Sequence, residues 1–333
     1  MVITNYNGEL AQVSGGTPIE CTWKLYKQNS NNLNIYQCSI SGISIMGLRV
    51  NGTRAIRARY PNANPETQGF GSTLQAKSWL SPSPPYLPSY QFNPYYPIRN
   101  DTFCCCNKIG GTELLTFFFF FEKKKGMGGP CANFTPPAGY WCSSNPQGGG
   151  ATTYRIPYGM TYNTSILPHS PYHNVNGGVV QAWRPGHWAS WMFTIDSTKS
   201  KSGEFIFSRG GFQDARGNNA GDEFYVENLF EELDAPSEWF FNSSANTLYY
   251  YNNRTGAPTF DEFEATNLKV LFSLVGNMSY PVANMTIRGL TLRDTQYTYM
   301  DNHGMPSGGD WALQRTGAIY LKALKISPFS TMS

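Results

Sequence analysis

The chain has 333 residues with 25 Lys and Arg against 22 Asp and Glu, and its formal net charge of +3 is too weak a field to mark a nucleic-acid partner. Charged residues reach only 14%, against about 25% in an average soluble domain, while 33 Gly, 22 Pro and 15% aromatics describe a turn-rich, β-rich chain of extracellular character. The apolar content excludes disorder, and no stretch reaches the roughly 18 consecutive apolar residues of a membrane-spanning helix, so no membrane span is expected.

The opening residues, Met1 to Gly8, are polar and lack the basic and apolar regions of a secretion signal, so the true amino terminus is expected upstream. Seven cysteines follow: Cys21, Cys38, Cys104, Cys105, Cys106, Cys131 and Cys142. The odd total leaves at least one thiol free or bonded to another chain, and some disulfide pairing is expected within residues 104–142. Three adjacent Cys with no His before His169 do not supply a zinc tetrahedron, so no metal is expected.

Gly47 to Val50 reads as a strand. Residues 81–97 carry six Pro, which excludes a helix or a central strand and favours an extended covering loop whose Tyr residues pack on the domain body. Next, Phe117 to Phe121 and Lys123 to Lys125 form homopolymer tracts that no packed core requires. The string at 107–130 therefore reads as a gene-model artefact, a translated intron, with a lipid-seeking loop as the alternative.

Trp183, Trp188 and Trp191 lie within nine residues, a spacing open both to sugar stacking and to ordinary core packing. Strands are predicted at Ser190 to Ile195, Glu204 to Phe207, Glu223 to Val226, Thr247 to Tyr251 and Leu268 to Phe272, with Asn, Gly or Pro turns between them. The Gly210-Gly211 pair lacks a nucleotide fingerprint, no Gly-x-Ser-x-Gly elbow occurs, and no cofactor is expected. Glu227 to Leu233 is the nearest approach to a helix and is closed by Pro236. Its Glu231 and Glu232 read as a solvated acidic edge.

Val282 to Asp294 is the most informative segment. Val282, Met285, Ile287, Leu290 and Leu292 mark two very short strands on either side of a bend at Arg288-Gly289, as in one coil of a parallel β-solenoid. One coil cannot bury its own inner face, so neighbours are required, with Leu268 to Phe272 and Ala318 to Leu321 as candidates. Asn-x-Ser/Thr sequons stand at Asn51, Asn100, Asn133, Asn163, Asn242, Asn253, Asn277 and Asn284, which favours a secreted, extracellular glycoprotein.

The strings Val13 to Pro18, Leu48 to Asn62, Glu223 to Asp234, Glu238 to Phe240, Gly308 to Trp311 and Gly317 to Leu321 resemble large secreted right-handed parallel β-helix proteins of the pectin-lyase-like superfamily. The resemblance implies an all-β fold: first β-helix coils at 1–46, an inserted β-rich region at 47–177, and further coils at 178–333. It also implies a fragment truncated near Lys322, because many more coils follow in that family. Similar members include glycosidases, so the expected role is action on, or binding of, an extracellular polysaccharide. The alternative is a non-catalytic matrix or mineral-associated glycoprotein.

Glycoside hydrolysis needs two carboxyl groups about 5 to 9.5 Å apart. Asp301 and Asp310, in polar Gly-rich stretches after a solenoid strand, are the candidate catalytic residues. Trp239, Glu238, His303 and Trp311 are the candidate substrate-binding residues, with the aromatics offering stacking faces. A lyase mechanism finds less support, because Arg288 and Arg293 are not accompanied by a tight acidic cluster.

Overall fold

The computed structural model describes residues 1–29, 31–80, 159–183, 190–210, 223–301 and 316–323. The covering loop, the homopolymer tracts, the five cysteines from Cys104 to Cys142, and Asn100 and Asn133 lie outside them. The described chain is all-β, with one four-residue α-helix at Pro65–Gln68 and a few single 3-10 turns. It divides into two compact units. One is built from residues within Met1–Arg57, Pro236–Thr298 and Gln314–Ser333, and the other from residues within Ala58–Ala235 and Tyr299–Leu313.

Among the described residues, the second unit holds an eight-stranded antiparallel sheet. Its order runs Leu74–Gln75, Glu223–Glu227, Val179–Trp183, Ser190–Lys199, Glu204–Gly210, Gly159–Thr161, Ser78–Leu80, with Arg59–Tyr60 also paired to Glu223–Glu227. Two-residue periodicity sets its inner face: Trp191, Phe193 and Ile195 alternate with solvent-side positions, as do Phe224 and Val226. These meet Trp79, Met160, Phe205 and Phe207 in one core, where Phe193 and Phe207 stack with centroids 4.2 Å apart. The strands Val179–Trp183 and Glu223–Glu227, expected among the solenoid coils, hydrogen-bond to each other antiparallel within this sheet. The described residues between 178 and 235 lie in the compact unit that begins at Ala58.

The first unit holds a five-stranded sheet, ordered Lys24–Lys27, Ile35–Ser39, Thr247–Tyr251, Glu238–Asn242, Ile56–Arg57. A four-stranded sheet follows the order Gly16–Ile19, Phe263–Thr266, Leu48–Val50, Thr53–Arg54. Leu48, Trp239, Phe241, Leu248, Tyr250 and Phe263 form its core, and Cys21 is joined to Cys38 by a disulfide.

The described residues of this unit also hold three two-stranded parallel pairs. Val2–Thr4 lies on Thr286–Arg288, Ala11–Ser14 on Leu290–Arg293, and Phe272–Val275 on Ile319–Lys322. The two strands foreseen around Ile287 are present, and the bend between them is Gly289 at φ 66°. Their partners differ from expectation. The amino-terminal strands cover them, while the 272–275 and 319–322 strands pair with each other.

A charged cluster pins the ends of the second pair. Arg49 and Arg293 both engage Asp294, Arg293 also reaches Glu264 at 2.8 Å, and Ser14 donates to Glu264 at 2.6 Å. Arg293 thus spends its charge on carboxylates of its own unit.

Candidate functional site

Among the described residues, His169, Glu232 and Asp234 come together in the second unit, around the turn Phe230–Glu232. Asn228 ends the preceding strand in the left-handed region at φ 55°, donating from its backbone to Ala58 and from its side chain to Gly177, each at 2.8 Å. Leu229 and Leu233 are both buried and hold the turn against the core between them. With the two leucines anchored, Glu232 points inward and is 0% exposed.

Glu232 is met by the loop after the 3-10 turn Thr164–Ile166, which Asn163 caps by accepting from the Ser165 backbone at 3.1 Å. Leu167 and Tyr172, both buried, fix that loop. The Tyr172 hydroxyl donates to Glu232 Oε1, and His169 Nδ1 lies 2.7 Å from Oε2. On the other side of the ring, His169 Nε2 stands 3.7 Å from Asp234 Oδ2. Asn62 donates to Asp234 Oδ1 at 2.7 Å, and the His169 ring meets Tyr60 edge-on with centroids 6.4 Å apart. Beside them, Glu231 Oε1 accepts from the His173 backbone at 2.9 Å.

Burial pushes the Glu232 carboxyl above the ordinary carboxylate range; the donors Tyr172 and His169 act against this, and the charge of Asp234 adds to it. Burial, reinforced by the neighbouring Glu232 charge, holds the Tyr172 hydroxyl far above its usual value, so it keeps its proton and serves as a donor. A buried carboxylate beside Nδ1 favours the tautomer protonated there, which leaves Nε2 to present a lone pair beside Asp234. His169 and Asp234 are the half-exposed members, with side chains 36% and 31% accessible. The arrangement therefore supports ligand or proton chemistry at those two side chains, oriented from beneath by Glu232.

This corrects the reading of Glu232 as part of a solvated edge. The usable sequence signal is Leu-Phe-Glu-Glu-Leu-Asp itself, where leucines four apart anchor both ends of a turn too short for its charges all to reach water.

The residues singled out for substrate binding lie elsewhere. Trp239 is 1% exposed, donates from Nε1 to the Ala55 carbonyl at 3.3 Å and carries the Arg57 guanidinium 5.2 Å above its ring. Glu238 is buried beside it in strand Glu238–Asn242. Neither presents a face on which a sugar can stack, because the five-stranded sheet uses them as core. Asp301 is half-buried at the edge of the described residues, while Asp310, His303 and Trp311 lie outside them. Of the tryptophan trio, Trp191 is core, Trp183 packs against Phe70 and Tyr225, and Trp188 lies outside the described residues. Asn51, Asn163, Asn253, Asn277 and Asn284 are exposed and Asn242 is half-buried.

No protein-family model matches the chain, and no curated protein matches it. Among solved structures, a glycoside hydrolase is similar, with a TM-score of 0.50 and 14% sequence identity over 89% of this chain. The match spans 39% of that protein's length, and at this identity the likeness is one of fold.

Proposed function

We propose that this chain belongs to a secreted, glycosylated protein whose first unit forms coils of a right-handed parallel β-helix and which binds or acts on an extracellular polysaccharide. The observation that carries the reading is the in-register parallel stacking of Val2–Thr4 and Ala11–Ser14 on the two halves of the 286–293 segment, with Gly289 at the corner. Side chains alternating along such rungs point to a common interior, and Ile3 stands opposite Ile287 as Val13 stands opposite Leu292. The glycoside hydrolase with a similar fold supports the carbohydrate class. Exposed sequons in both units support passage through the secretory pathway.

The test is an assay of reducing-sugar release by the folded full-length protein on a panel of xylans, pectins and other extracellular glycans, together with pull-down on the insoluble members. Release from one class establishes an enzyme, and retention without release establishes a binding protein. A folded protein that neither releases nor retains any glycan refutes the proposal and leaves a matrix or mineral-associated glycoprotein, the reading that the exposed sequons favour on their own.

A further inference from the structure

We propose that His169 and Asp234, with Glu232 beneath them, form a binding site for one divalent first-row transition ion, with zinc the best fit. One ligand atom from each of the three side chains lies within 4.8 Å of the others. The His169 Nε2 to Asp234 Oδ2 separation is 3.7 Å. An ion about 2.0–2.2 Å from an imidazole nitrogen and a carboxylate oxygen spans donor pairs up to about 4.3 Å apart, so both bind it with small side-chain rotations.

The surroundings repeat what ligating groups require. A metal-bound histidine donates its other ring nitrogen to a carboxylate or carbonyl that fixes the tautomer, and Glu232 Oε2 holds Nδ1 at 2.7 Å from a fully buried position. That carboxylate is itself fixed by the Tyr172 hydroxyl, and the Asp234 carboxylate is oriented by the Asn62 amide through Oδ1. The turn carries three carboxylates in four positions, Glu231, Glu232 and Asp234, with the rings of His169 and His173 beside them. The Glu231 Oε2 atom is buried without a hydrogen-bond partner among the described residues, so the turn is electronegative beyond what its hydrogen bonds use. A mixed nitrogen and oxygen set suits zinc and its neighbours, whereas Ca²⁺ demands six to eight oxygens. The expectation of no metal rested on cysteine spacing alone and did not weigh this turn.

The probe is zinc chloride titrated into the full chain by calorimetry after exhaustive chelation, followed by X-ray absorption on the loaded protein. One equivalent is expected, with an imidazole and oxygen shell. Asp234→Asn and His169→Gln should each weaken that equivalent at least tenfold, and Glu232→Gln about 10- to 100-fold through the outer shell. His173→Gln, altering a side chain 87% exposed and off the proposed shell, should leave it unchanged, and excess Ca²⁺ should not displace the zinc. Near-UV circular dichroism checks each variant's fold. The proposal is overturned if no zinc binds, if folded Asp234→Asn binds it as tightly as wild type, or if the absorption spectrum shows a sulfur-only shell. Because the probe is the metal alone, such a failure leaves the polysaccharide proposal standing.

Discussion

The corner between the two short strands of the 286–293 segment offers a quantitative test of the stacked arrangement. Gly289 sits at φ 66°, and a Cβ built on it falls well inside contact distance of the Oδ1 atom of Asn5, the residue that follows the covering strand Val2–Thr4. Gly289→Ala therefore carries two separable costs. A non-glycine residue in the left-handed region costs about 1–2 kcal/mol. Displacing the Asn5 side chain also breaks its donation to the Glu9 carbonyl at 3.0 Å, a loss of about 1 kcal/mol for a hydrogen bond of this kind. The sum, about 2–3 kcal/mol, should speed amide exchange in peptides covering residues 2–4 and 286–288 by about 30- to 150-fold, if exchange proceeds through local opening. Asn5→Gly by itself deletes the donor to Glu9 and removes the collision, so adding Gly289→Ala to it should cost only the further backbone part. Hydrogen exchange read by mass spectrometry resolves the two. If Gly289→Ala leaves exchange in both peptides unchanged, or if only the 286–288 peptide responds, the amino-terminal strand does not cover this corner and the reasoning fails.

Replacing Cys21 and Cys38 together by Ser reopens a loop of sequence separation 17 and should destabilise the first unit by about 3 kcal/mol in the chain-entropy account, seen as a lowered calorimetric transition; an unchanged transition would show that the bridge constrains nothing. Alkaline pH should act through the buried tyrosines. Burial raises the hydroxyls of Tyr162 and Tyr250, so the folded chain holds these protons more tightly than the unfolded chain does. Stability must then fall as pH rises past the unfolded value of about 10, and ultraviolet titration should show these two ionising only as near-UV circular dichroism is lost. Ionisation with the fold intact would contradict their burial.

Much of the strand content was legible because alternation is a local property. Thr247–Tyr251 forms over the predicted residues, and the strands at Ser190, Glu204 and Glu223 begin where expected and run further. The candidate site was far less legible. Trp239 and Glu238 look like a carbohydrate platform in a linear string, yet the Arg57 guanidinium and the Ala55 carbonyl that occupy the tryptophan come from a segment some 180 positions away. His169 and Glu232 are separated by 63 positions and share no motif, so nothing in either neighbourhood announces the other.

By itself, then, the amino-acid order settled the class of structure: low charge, frequent turns and two-residue periodicity leave room for little besides β-sheet, and a glycine between two aliphatic pairs requires a corner. Which strand lies on which, and which carboxylate faces inward, was decided only in three dimensions. Pairing partners and desolvation depend on what else occupies the space around a side chain. At Glu232 that is a tyrosine and a histidine brought in by a loop whose own sequence fixes only its local turn.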